Sequence, residues 1–361
     1  MRRPGAPRAE LRLAADVLVA DYMNVRRGED VLISVDTATD VAAAEAVFAS
    51  VLAAGARPVT VEIPQLPFQG KLGDAFVPKA LGAAVRECQV WIDLTFPYMA
   101  GSEVHDQAMK TGRIRYLLAG DLKAGGIERL FGGVDLDDYQ RAFDGFSEVL
   151  TKPEGQKIRV TDTLGSDVTF RLGKSAYAKP RRAVEPGTYL VPGSCTMFPD
   201  MESVRGVIRT AAGFHEFFTP FESPITIEVD GKVRSVTGGG SDRLVLDRCL
   251  RRAGGGDYGY VIHFTFAMHP TARSTGSSFI EDSRVMGANA VGLGLPWWVP
   301  GGGENHPDVV LTEQSIWVED VLVIDGGVAV APDELVAAAG FLRTKADVAL
   351  ARHGQSDSDE D

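Results

Sequence analysis

VLISVDTATDVAAAEAVFASVLAAGARPVTVEI, Val31 to Ile63, is the stretch that decides the fold of the first part of the chain. VLISVD is apolar and β-rich, ATDVAAAEAVFASVLAAGA carries its apolar residues at helical spacing, and PVTVEI is extended again. Strand, helix and strand in turn predict a parallel pair joined by a crossover helix. The same alternation runs outward on both sides. AELRLAADVLVADYM (9–23) reads as a helix, then beyond Ile63 come a helix near Pro78 to Glu87, the strand VWIDLT (90–95), a helix near Gly101 to Thr111 and the strand RIRYLLAG (113–120). The expectation is a doubly wound, Rossmann-like α/β domain with a parallel sheet covered on both faces. Two further helices, Leu122 to Phe131 and Asp135 to Leu150, complete it.

The pattern changes at Lys152 to Gln156. KIRVTDTLGSDVTFRL (157–172) alternates around a Gly-Ser-Asp turn, and ITIEVDGKVRSVTG (225–238) alternates around Asp230-Gly231, a strong hairpin signal. YVIHFTFAM (260–268), GANAVGLGL (287–295), DVVLTEQSIWV (308–318) and VLVIDGGVAV (321–330) read as longer strands, with a closing helix from Pro332 to about Arg352. The expected organisation is an α/β domain over 1–151, a mixed or antiparallel β-rich α+β domain over 152–352 that carries the catalytic chemistry, and a disordered acidic tail, 353–361.

A chain of 361 residues with 45% hydrophobic and 24% charged residues can bury a substantial core. Its net charge of -12 argues against a nucleic-acid partner, which calls for a basic face. Cys88, Cys195 and Cys249 are far apart and form no C-x-x-C pair, so neither a disulfide framework nor a thiolate zinc site is indicated. With no apolar segment that reads as secretory or membrane-spanning, a cytoplasmic protein without a membrane partner is expected. The clusters VTGGGSDR and AGGGDYG lack phosphate-loop spacing and read as turns.

The chemistry is concentrated in ENHPDVVL (304–311). On an extended segment, residues two apart face the same side, so His306 and Asp308 can be offered together to one metal ion. Gly301 to Gly303 allow close backbone approach, and Pro307, lacking an N–H, suits a strand start or an edge. A third ligand can come from YVIHFTFAMHP, which holds His263 and His269. They share a face but lie about 20 Å apart along an extended strand, so both cannot serve one ion. Either can instead be a core histidine. His105 falls on a helix, His215 in GFHEFF, and His353 in the tail.

VIHFTFAMHPTAR, GANAVGLG, GGGENHPDVVL and SIWVEDVLVIDGGVAVAPDE, in that order, resemble the C-terminal half of the 2,5-dihydroxypyridine 5,6-dioxygenase family, whose fold is shared with aminopeptidase T-type metallopeptidases. WIDLTF, MKTGRIRYLLAG and KIRVTDTLGSDVTFRLGK extend the likeness over most of the chain. The resemblance implies an Fe(II)-dependent ring-cleaving enzyme acting with O2 on a small hydroxylated, N-heterocyclic aromatic ring, and a homo-oligomer. By motif, its iron ligands fall on His263, His306 and Asp308, which selects His263 over His269. Two imidazoles and a carboxylate suit non-heme Fe(II) and leave positions for substrate and O2.

The peptidase branch supplies the alternative, a hydrolase with one or two Zn, Co or Mn ions. In FPDMES, Glu202 stands at its first glutamate ligand, but His263 replaces a second glutamate and Ala290 a histidine, which favours a single ion. The dioxygenase's acid–base histidine has no counterpart in FPYMAGSEVH ahead of His105. Tyr98, Ser102, His105, Glu202, His215 and His269 are therefore the candidates for moving a proton. Trp297 and Trp298 either line an aromatic pocket or simply pack.

Overall fold

The computed structural model describes residues 8–152, 154–174, 182–214, 218–296 and 306–343. It separates into two compact units, Met1–Leu136 with Lys179–Pro192, and Asp137–Ala178 with Gly193–Asp361.

The first unit holds a parallel sheet in the order Arg57–Ile63, Asp30–Asp36, Val90–Asp93, Arg115–Leu118, Gly187–Leu190. The three central strands are buried along nearly their whole length, as expected where helices cover both faces. Arg57–Ile63 is an edge strand, with only Ile63 buried. Helix Val41–Ala53 follows the first strand as the sequence predicts. Asp40 caps it by accepting from the amides of Ala42 and Ala43, and Ala43, Ala46, Val47 and Val51 form its buried stripe. Helix Ala9–Asp16 runs on as a π-helical segment, Val17–Tyr22.

The fifth strand is a correction to the expected organisation. Gly187–Leu190 lies within the stretch assigned to the β-rich domain, yet it pairs in parallel with Arg115–Leu118. A strand of four residues carries too little periodicity to reveal a partner so distant in sequence. Conversely, helix Leu136–Leu150, assigned to the α/β domain, belongs almost wholly to the second unit. Its buried residues Tyr139, Ala142, Phe146 and Leu150 form one helical face. Phe146 stacks on Phe266 at 5.5 Å, and Tyr139 stacks on His269 at 5.8 Å.

Among the described residues the second unit is built on a 12-stranded antiparallel sheet. Its path ends in the order Asp167–Arg171, Arg205–Phe214, Asp308–Leu311, Asn289–Gly294, Tyr260–Ala267, Ser194–Met197. The sheet curls until the residues after its last strand meet the end of Asp167–Arg171: Gly173 N donates to Phe198 O at 2.7 Å and Asp200 N to Arg171 O at 2.8 Å. Phe170 and Phe264, far apart in strand order, therefore stack at 4.6 Å. Val291 and Val309 lie in cross-strand register with Phe264 and share its enclosed face.

Both predicted hairpins form, Lys157–Thr161 with Asp167–Arg171 and Phe218–Asp230 with Lys232–Gly238. DVVLTEQSIWV is not one strand. Glu313 takes a left-handed φ of 50°, and the segment divides into Asp308–Leu311 and Ser315–Val318, which pair with different neighbours. Residues 333–343 are helical; the rest of the predicted closing helix and the tail lie outside the described residues.

Candidate metal centre

Cross-strand register builds the site. His263 on Tyr260–Ala267 lies opposite Gly292, Gly292 opposite Asp308, and Asp308 opposite Phe214. Directly opposed residues share a face, so these four form one row on the side of the sheet away from Phe264. His263 reaches this position through a bulge: the register shifts between Val261 and His263, placing Ile262 as an extra residue. Bulges re-aim side chains in this way. His306 sits two residues before Asp308, and between them Pro307 joins the ladder through its carbonyl, which accepts from Leu293 N at 3.0 Å.

His263 Nε2 lies 3.0 Å from His306 Nε2 and 3.3 Å from Asp308 Oδ1, and His306 Nε2 lies 3.7 Å from the same oxygen. Two cis donors bound at roughly 2.1 Å to one ion stand about 3 Å apart. Asp308 is 7% exposed, and its Oδ1 accepts no hydrogen bond despite the nearby imidazoles. Burial pushes the Asp308 carboxyl up to about 8 and the His306 imidazole down to about 4. A buried carboxylate oxygen without a donor, facing neutral imidazoles, fits a bound cation. Among the described residues these three form the one cluster of His, Cys, Asp or Glu donors able to hold a metal ion.

The surrounding residues fix the ligands. Thr265, next on the same face, places its hydroxyl 3.2 Å from His263 Nδ1 and 3.1 Å from Thr196 Oγ1, leaving Nε2 toward the centre. A Cβ on Gly292 would stand 2.3 Å from His263 Nε2 and 2.6 Å from its Cδ2, so only glycine leaves space for the ring. Neither residue was singled out from sequence, although alternation along HFT and GANAVG places both on the ligand face.

The structure gathers His263, His306 and Asp308. His269 is fully buried, stacked on Tyr139, with the Thr271 hydroxyl 3.2 Å from Nδ1. Glu202 is exposed on the short helix Met201–Ser203 and joins no ligand cluster. Tyr98, Ser102 and His105 belong to the parallel-sheet unit. There Ser102 caps helix Glu103–Lys110 through His105 N, and buried His105 sets Nε2 3.0 Å from Thr188 Oγ1 with its ring against Tyr116; Tyr98 is half-buried beside Phe96. His215, Trp297, Trp298, Gly301 to Gly303 and His353 lie outside the described residues.

Over residues 18–331 the sequence matches the family model described as NicX, 2,5-dihydroxypyridine 5,6-dioxygenase. The chain belongs to the 2,5-dihydroxypyridine 5,6-dioxygenase family. It is a ring-cleaving dioxygenase that acts with O2 on a small aromatic substrate and works with a metal cofactor. The fold agrees with that of the 2,5-dihydroxypyridine dioxygenase from Pseudomonas putida KT2440, at a TM-score of 0.71 and 20% identity over 92% of this chain and 100% of that one. It also agrees with wild-type AmpT from Thermus thermophilus, at a TM-score of 0.63 and 14% identity over 89% and 99% of the two chains. No curated protein matches significantly. No helix among the described residues is long and apolar enough to cross a membrane.

Proposed function

We propose that this family member is a mononuclear Fe(II) dioxygenase opening a monocyclic, hydroxylated N-heterocycle, with His263, His306 and Asp308 as the iron ligands. The observation that carries the reading is the convergence of three donor atoms, one a buried carboxylate oxygen without a hydrogen bond. Fe(II) held by His263, His306 and Asp308 would supply the Lewis acidity and redox chemistry that bring a hydroxylated ring and O2 to react. Asp308 offsets the ion's charge, Thr265 fixes the His263 ring, and Gly292 leaves that ring its space. The enzyme is further placed in the cytoplasm as a homo-oligomer. Three buried cysteines, Cys88, Cys195 and Cys249, support a reducing compartment, and exposed Val321, Val328 and Val330 support a subunit surface.

The dinuclear hydrolase reading is weaker, because Glu202 is exposed and outside the cluster. The test is O2 uptake by Fe(II)-loaded protein with hydroxypyridines, hydroxypicolinates and aminophenols. One of these rings should drive uptake, and His263→Ala should lose iron and uptake together. Uptake by a variant free of iron would overturn the assignment.

A further inference from the structure

Two hydroxyls run outward from the ligand row. Thr265 and Thr196 are directly opposed across the last two strands of the sheet path, Tyr260–Ala267 and Ser194–Met197. Their Oγ1 atoms lie 3.1 Å apart, and Thr265 Oγ1 lies 3.2 Å from His263 Nδ1. A continuous chain of polar atoms therefore joins His263 to buried Thr196, on a strand that contributes nothing to the donor cluster. Packing leaves the His263 ring with a choice of orientation. Gly292 opposite it offers no side chain, and the ladder shifts register just ahead of it. Phe198 and His306 stand edge-on at 6.5 and 5.0 Å, contacts that scarcely distinguish a ring nitrogen from a ring carbon. A half-turn of the ring would exchange Nε2 for a carbon. A hydrogen bond at Nδ1 forbids that turn.

We propose that Thr196 and Thr265 act in series as positioning residues that hold His263 in its metal-binding tautomer and orientation. The inference rests on the proposed metal centre and adds to it the device that readies one ligand. A metal at Nε2 takes that nitrogen's lone pair, so the single proton of the neutral ring sits on Nδ1. Thr265 Oγ1 accepts that proton's hydrogen bond. Its own hydroxyl proton then points to Thr196 Oγ1, which accepts in turn. A hydroxyl that donates is a better acceptor, so Thr196 strengthens the bond at Nδ1 while touching neither ligand nor ion. Run in the opposite sense, from Thr196 through Thr265 to Nδ1, the same chain leaves the proton on Nε2 and closes the ring to metal. Outer partners of metal-bound histidines act in this way, fixing tautomer and ring together.

The test is an anaerobic Fe(II) titration of the parent, Thr265→Val, Thr265→Ser, Thr196→Val and the double valine variant, with metal-free melting temperatures measured alongside. Thr265→Val keeps the side chain's shape without its hydroxyl and should bind Fe(II) about tenfold or more weakly. Thr265→Ser should restore the affinity. Thr196→Val should weaken binding to a smaller extent, and should add nothing once residue 265 is valine, because the chain is already cut. Unchanged affinity in Thr265→Val overturns the proposal. So does failure of serine to restore it, or losses that simply add in the double variant, since either is the mark of packing. A parent that binds Zn(II) but not Fe(II) would defeat the iron assignment of the proposed function, and the same series read with Zn(II) would still decide the chain.

Discussion

Asp308 and His306 are both held away from their charged forms, with consequences of opposite sign. In the metal-free protein Asp308 sits near 8. A raised carboxyl pKa contributes stability that is fully present below its ordinary value near 4 and is lost as pH rises through about 8. His306, lowered to about 4, contributes stability that is present above its ordinary 6.5 and lost as pH falls through about 4. Metal binding takes the ionised carboxylate and the neutral imidazole, so below pH 8 each ion displaces about one proton from Asp308. Fe(II) affinity should rise close to tenfold per pH unit between about 5 and 8 and level off above. An anaerobic titration across that range checks this; a flat profile contradicts it. Asp308→Asn should lose iron yet stabilise the metal-free protein at pH 8 by on the order of a few kcal/mol, read as a higher melting temperature, because it removes the buried ionisation. A lower melting temperature at that pH would count against the burial argument.

Gly292 provides a separate test at the same scale. Its backbone is in no left-handed region, so alanine is opposed here by the His263 ring alone. Gly292→Ala should lose iron although every ligand is retained, and should lower the melting temperature. In a His263→Ala background the same change should be near neutral, since the ring that would be struck is gone. Equal destabilisation in both backgrounds would show that the contact with His263 is not the cause.

Strand Arg205–Phe214 ties the site to the rest of its sheet, pairing with Asp167–Arg171, Phe218–Asp230 and Asp308–Leu311. Gly206 makes this possible: at φ 128° a Cβ there would stand 2.0 Å from the Asp167 carbonyl oxygen, a backbone atom that cannot yield. Gly206→Ala should therefore cost about 3 kcal/mol or more, read as a large fall in melting temperature; a shift within a degree would show that the pairing tolerates displacement. Elements with strong local signals were legible in sequence, among them the β–α alternation from Val31 to Gly120 and the hairpin at Asp230-Gly231. Elements governed by distant partners were not. The bulge at Ile262, the break at Glu313 and the docking of helix Leu136–Leu150 on Phe266 depend on tertiary neighbours, which no window of sequence contains.

At the scale of the whole molecule, the fold alone leaves the chemistry open, since it is shared with AmpT as well as with a dioxygenase. What separates them is the site. The H-x-D pair was legible because residues two apart on a strand must share a face. The choice of His263 over His269 came from resemblance, and the geometry has His263 beside the pair while His269 packs on Tyr139. Thr265 and Gly292 went unread because an ordinary threonine and glycine announce nothing until their cross-strand neighbours are known. The single-ion centre is tested most directly by counting metal per chain in Fe(II)-reconstituted parent and Asp308→Ala proteins while following O2 uptake with 2,5-dihydroxypyridine. The expected result is one ion per chain with O2 uptake in the parent, and neither in the variant. Two ions per chain, or a variant that keeps its iron, would contradict it.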